Sequence, residues 1–188
     1  MKQLFYVRHG ESEDLAAKIR SRTTTELTTK GWRQATEAGE LLRRRSVQPD
    51  LIVCSELIRT RQSAEAIADV LGYSKAKILP QSLLNERLWG EGEGVLNEVI
   101  GQKWDKNFDI VPGAEPTAAL QIRAGKALAW LRELKPDCVL VVGHGTIGRA
   151  IVRAIQGRPY TDEFNSERGE FKNGEIAQLL PNLVLPLS

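Results

Sequence analysis

Histidine is scarce in this chain, with two in 188 residues, and cysteine is no commoner. Cys54 and Cys138 both lie inside apolar runs. That predicts buried thiols rather than a disulfide framework, and it suits a reducing cytoplasm. The charge lacks a dominant sign. Against 26 Lys+Arg stand 24 Asp+Glu, a net charge of +2, too little for the basic footprint of a nucleic-acid binder. No run approaches the ~20 apolar residues of a membrane-spanning helix. Neither nucleic acid nor membrane is therefore an expected partner. The apolar residues 4–7 meet Arg8 and His9 too early to form the apolar core of a signal peptide. Repeats, low-complexity tracts and linkers are missing too. What remains is 41% hydrophobic residues, enough for a packed core, in a length typical of one domain.

Apolar runs at 4–7, 51–54 and 138–142 read as buried strands. A shorter run at 78–79 and two late ones at 176–180 and 183–187 suit edge strands or a hairpin. Between them the helical period predicts helices over 28–45, 56–71, 117–134 and 147–155. In the first, Trp32, Ala35, Ala38, Leu41 and Leu42 share one face. One more helix is expected near 96–104, and the rest of 83–116 shows no clear period. The alternation predicts an α/β three-layer sandwich, a mostly parallel central sheet with helices on both faces. In such sheets, sites form beyond the carboxyl ends of the strands.

Both histidines stand at such ends. The first strand runs into Arg8-His9-Gly10-Glu11, and the 138–142 strand into Gly143-His144-Gly145. The 51–54 strand ends at Ser55, a helix N-cap candidate, with Arg59 one turn later. Arg8, His9, Arg59 and His144 are thus predicted to share one rim. That set suits a phosphoryl group, because arginine forks match phosphate oxygens and helix N-termini add N–H donors. Two other readings exist. Arg59 would be a solvated partner of Glu56 or Glu65, or His9 and His144 would bind a metal with Glu11 and Glu86. The arginines argue against the metal, since they repel a divalent cation.

Tyr6-Val7-Arg8-His9-Gly10-Glu11-Ser12 resembles the signature of the histidine phosphatase superfamily, also called the phosphoglycerate mutase-like family. The resemblance extends along nearly the whole chain. It includes Leu27-Thr28-Thr29-Lys30-Gly31 with Gln34-Ala35, and the stretch from Ser55 to Ala64 around Arg59. It continues in Leu84-Asn85-Glu86-Arg87 with Gly90 and Glu93-Gly94, in Pro112-Gly113-Ala114-Glu115, and in Val141-Val142-Gly143-His144-Gly145. The sequence departs from the family after the first motif, where residues 13–22 hold neither the usual Asn nor a Gly. Arg20 or Arg22 would substitute. Glu56 and Gly143 stand where many members have Pro and Ser.

The resemblance implies a single domain over 1–188 with a small cap around 83–116. It implies His9 as the nucleophile that takes the phosphoryl group. Arg8, Arg59, His144 and Gly145 would form the phosphate pocket, and Glu86 would be the proton donor. His9, Glu86 and His144 are then the catalytic set. Arg20, Arg22, Arg87 and Trp89 are weaker substrate-binding candidates, with Trp104, Lys103 and Lys106 nearby. No metal or other cofactor is implied. The cations beside His9 are expected to keep its ring neutral. The leading expectation is a metal-independent phosphomonoester phosphatase of the phosphohistidine type acting on a small phosphorylated metabolite, as monomer or homodimer. The alternatives are a phosphoglycerate mutase-type phosphotransferase, a protein phosphohistidine phosphatase, and a noncatalytic phospholigand-binding module.

Overall fold

The computed structural model describes residues 3–104, 107–161, 171–180 and 183–187. Four strands run parallel: β1 (Gln3–Arg8), β2 (Leu51–Cys54), β3 (Leu79–Pro80) and β4 (Cys138–Gly143). β5 (Ile176–Leu180) and β6 (Leu183–Pro186) close one edge antiparallel, as the late hairpin was expected to do. The six-stranded order is β3-β2-β4-β1-β5-β6.

Side chains alternate across this sheet as strand geometry requires. Leu4, Tyr6, Val53, Val139 and Val141 belong to one core cluster, with residues of two helices, α5 (Thr117–Glu133) and α6 (Gly145–Ile155). Phe5, Val7, Ile52, Cys54, Leu140 and Val142 belong to the other, with α2 (Thr29–Arg44) and α3 (Ile58–Leu71). Apolar burial on both faces explains why the parallel strands are continuous apolar runs rather than alternating ones. Each fully buried Leu or Ile contributes about 1.5–3 kcal/mol. Three layers result, as the pattern predicts.

Most boundaries fall within two residues of expectation. Thr28 caps α2 by accepting from the Gly31 N–H at 3.0 Å. Trp32, expected on the buried stripe, is 38% exposed, while Ala35, Ala38 and Leu42 are buried. Ser55 does not cap α3, whose N-cap is Leu57. The helix after β4 begins at Gly145, two residues earlier than its apolar period suggests. Residues 13–22 contain a four-residue helix, α1 (Glu13–Ala16), too short to leave a period. Within 83–116 lie α4 (Asn97–Trp104) and short 3₁₀ turns around a small cluster of Ile100, Trp104 and Val111. Cys54 and Cys138 are free and buried, and burial pushes both thiols up to about 11. Among the described residues no helix is long and apolar enough to cross a membrane.

Register sets the site. Arg8 pairs with Gly143, and Cys54 with Val142, so β1, β4 and β2 end at one level. Gly143 itself has a structural reason. A Cβ there would lie 2.2 Å from Tyr6 Oη, and that hydroxyl donates to the His144 carbonyl at 2.7 Å. Gly143→Ala is therefore expected to cost about 1–3 kcal/mol through overpacking. Urea unfolding checks this, and an unchanged midpoint would refute it.

Candidate active site

His9 follows β1 and is held from several sides. Its N–H donates to the Gly143 carbonyl at 3.0 Å, and its own carbonyl accepts from Asn173 Nδ2 at 2.8 Å. The next residue must be glycine, because a Cβ on Gly10 would sit 2.1 Å from the Gly31 carbonyl oxygen. The tight turn carries the Gly10 carbonyl to 2.6 Å from His9 Nδ1. A carbonyl only accepts, so Nδ1 carries the hydrogen, and in the neutral ring Nε2 keeps its lone pair. Burial, then Arg59 and Arg8, hold the His9 pKa well below its ordinary value.

His144 caps α6, its ring centroid 5.0 Å from that of His9. Nε2 lies 2.7 Å from Ser55 Oγ, which also accepts from the Leu57 N–H. Ser55 thus orients His144 rather than starting a helix. The ring is fully buried, and its Nδ1 has no protein partner. Burial, then Arg59, also holds this pKa well below ordinary.

Arg59, on the first turn of α3, is 1% exposed. The expected alternatives fail, since Glu65 pairs with Arg61 at 2.6 Å and Glu56 hydrogen-bonds Asn85. Arg59 Nη1 donates to the Arg22 carbonyl at 2.9 Å, and its Nε has no partner. Burial pulls its pKa down to about 10. Arg8 is placed by donating Nη1 to the Phe171 carbonyl.

Glu86 meets the start of α6. Its Oε2 accepts from the Thr146 N–H at 3.2 Å, and its Oε1 from the Ile147 N–H at 3.1 Å. An anion at a helix N-terminus is favourably placed. The preceding turn is anchored by Arg123, which donates to the Leu83 and Asn85 carbonyls and pairs with Glu115.

Arg8, His9, Arg59 and Glu86 border a cavity of about 300 Å³, while His144 lies behind its wall against His9. Arg8, His9, Arg20, Arg59, Glu86, Trp89, Gly145 and Arg149 are among its lining residues. Arg20 lies 4.3 Å over the Trp89 ring.

A sequence profile of the histidine phosphatase superfamily (branch 1) matches residues 4–179. The chain belongs to this superfamily. It is 29% identical to a Mesorhizobium japonicum protein named 2,3-bisphosphoglycerate-dependent phosphoglycerate mutase, over 84% of this chain and 82% of that one. It is 33% identical to a Salmonella paratyphi C protein named "Probable phosphoglycerate mutase GpmB", over 85% and 77%. Its fold matches a mycobacterial glucosyl-3-phosphoglycerate phosphatase solved with VO3, with a TM-score of 0.80 and 25% identity over 96% and 93%.

The motif residues of the superfamily signature thus converge, while two weaker candidates stand elsewhere. Arg22 is not on the cavity wall, because buried Asp14 takes its Nη2, Nε and backbone N–H. Burial tends to raise the Asp14 pKa, but the Arg22 hydrogen bonds bring it below its usual value. Arg20 is the one that reaches the cavity. Arg87 is buried but turned away, pairing with Asp109 at 2.7 Å and donating to the Glu115 carbonyl. Trp104 is buried in the small cluster rather than at the mouth. Lys103 lies over Trp104, and Lys106 falls outside the described residues. The metal set is not assembled, since Glu11 pairs with Lys30 at 2.8 Å. Leu15, Ile19, Thr146 and Arg149 line the cavity without having been singled out. For Arg149 a signal existed. It stands four residues after Gly145, on the same helix face.

The two histidines make stability depend on pH. Unfolded histidines take up protons below about 6.5, whereas these buried rings do not until a much lower pH. Stability is therefore full above that value and falls as pH drops, by about 1.4 kcal/mol per pH unit per histidine. Urea midpoints between pH 7.5 and 5 check this. His9→Gln and His144→Gln should each flatten the slope, and an unchanged slope would contradict the assignment.

Proposed function

We propose that the protein is a metal-independent phosphomonoester phosphatase that works through phospho-His9 on a small phosphorylated metabolite. The observation that carries this reading is the Nδ1–Gly10 contact, which leaves Nε2 its lone pair in a ring that burial, Arg59 and Arg8 keep neutral. Phosphoryl transfer passes through a loose transition state with charge on the equatorial oxygens. Arg8, Arg59 and His144 Nδ1 supply fixed donors for that charge. Nε2 forms a bond to phosphorus as the ester P–O bond breaks, and the Glu86 carboxyl gives its proton to the leaving oxygen. In the second step the Glu86 carboxylate takes a proton from water. That water attacks phosphorus, the N–P bond breaks, and inorganic phosphate leaves.

Residues 83–116 act in this reading as a small cap. The single eight-residue helix α4 and the exposed Asn97 at the rim leave the cavity a mouth for water. That supports transfer to water over transfer back to substrate. The names of the Mesorhizobium and Salmonella relatives favour a mutase as the second reading. The buried free thiols support a reducing, cytoplasmic setting.

Quenching with ³²P-labelled p-nitrophenyl phosphate tests the mechanism. Wild type should yield an acid-labile, alkali-stable phosphoenzyme, and His9→Ala none, with at least about 10³-fold lost turnover. Glu86→Gln should accumulate phosphoenzyme, because this leaving group needs no acid while the attacking water lacks its base. Full turnover by His9→Ala would overturn the mechanism.

A further inference from the structure

Tyr6 is a buried titratable group that the phosphoryl-transfer steps do not use. Its phenol sits against the junction of β4 and α6. Oη donates to the His144 carbonyl at 2.7 Å, and that carbonyl also accepts from the Gly148 N–H at 3.2 Å. Glycines on two elements make the space. A Cβ on Gly143 would lie 2.2 Å from Oη, and one on Gly148 would lie 2.7 Å from Cε1. Glycine inside a helix lowers its stability, yet α6 carries Gly148 where the ring passes. Burial, then the charge of Glu86, holds the phenol pKa far above its ordinary value. Oη therefore keeps its proton on the His144 carbonyl, and Tyr6 is not among the residues that line the cavity. Its part is placement rather than proton transfer.

The junction it holds carries two groups of the site. Ser55 fixes the His144 ring at Nε2, so the bond from Tyr6 is a second anchor on the same residue, at its main chain. The N–H groups that follow, of Thr146 and Ile147, hold the Glu86 carboxylate at 3.2 and 3.1 Å. A shift at residue 144 moves the ring and both N–H groups together. The Tyr6 ring also packs on that of Phe171, with 5.6 Å between centroids, and the Phe171 carbonyl accepts from Arg8. One phenol thus touches the supports of His144, Glu86 and Arg8.

We infer that Tyr6 is a positioning residue for phosphoryl transfer, whose hydroxyl locks the β4–α6 junction and thereby places His144 behind His9 and Glu86 on the cavity wall. This rests on reading the cavity as a phosphoryl-transfer site. A misplacement of about 1 Å that starts away from the chemistry costs about 10²-fold in rate, and losing one of two anchors is a smaller disturbance.

Tyr6→Phe tests this, because it keeps the ring and removes only the donor. Read well below the melting temperature of both proteins, its kcat on p-nitrophenyl phosphate should fall about 10-fold. Each step of turnover depends on His144 or Glu86, so the fall shows whichever step limits the rate. The Kd of inorganic phosphate, measured by calorimetry, should stay within about threefold of wild type, because Arg8 and Arg59 remain. An unchanged kcat in folded Tyr6→Phe, whatever its melting temperature, would leave the phenol a packing group and overturn the inference. Equal losses of turnover and phosphate binding would overturn it too. Absence of a phosphoenzyme in wild type would instead overturn the phosphoryl-transfer reading, and this inference with it.

Discussion

Arg59 carries its charge where 1% of its surface meets solvent, with no carboxylate among the described residues bonded to it. Burying an ion that way costs several kcal/mol unless something compensates. Among the described residues the Arg22 carbonyl accepts its hydrogen bond and Glu86, Asp14 and Glu93 attract it without bonding to it, yet burial still pulls the Arg59 pKa down. Burial, with that charge and the charge of Arg8, keeps His9 neutral, as the proposed nucleophile must be. In the proposed reaction that one unfavourable placement prepares both the anion site and the nucleophile, because an entering phosphoryl group would relieve the first and react with the second.

The fold exists around that placement. Parallel pairing ends β1, β2 and β4 at one level and delivers His9, Ser55 and His144 together. Close backbone approach does the fine positioning. Gly10 against Gly31 turns the chain so that a carbonyl reaches His9 Nδ1. Asp14 pulls Arg22 out of the cavity, yet leaves its carbonyl under Arg59. A rigid site of this kind needs no reorganisation when charge develops.

Much of this was legible in the sequence, because the signals were local. Apolar runs marked the strands, and both histidines followed such runs, so the rim of Arg8, His9, Arg59 and His144 could be read before any coordinates. What could not be read depended on competition between neighbours. Arg20 and Arg22 look alike in Arg-Ser-Arg, and only the buried Asp14 decides which one is drawn away. Arg87 is taken by Asp109, twenty-two residues on. Ser55 has the composition of a helix cap but serves His144. Arg149 escaped because the apolar period of α6 starts at Ile147, which leaves Gly145 outside the expected helix and hides the face the two share.

The claim that Arg59 is held at a cost to stability and kept for the anion is tested most directly by thermal unfolding of wild type and Arg59→Met, with and without inorganic phosphate. Without phosphate the variant should melt within a few degrees of wild type or above it, because the buried charge is gone. Phosphate at a hundred times its Kd should stabilise wild type by about 2.7 kcal/mol and the variant hardly at all. Equal stabilisation of the two proteins would contradict the account.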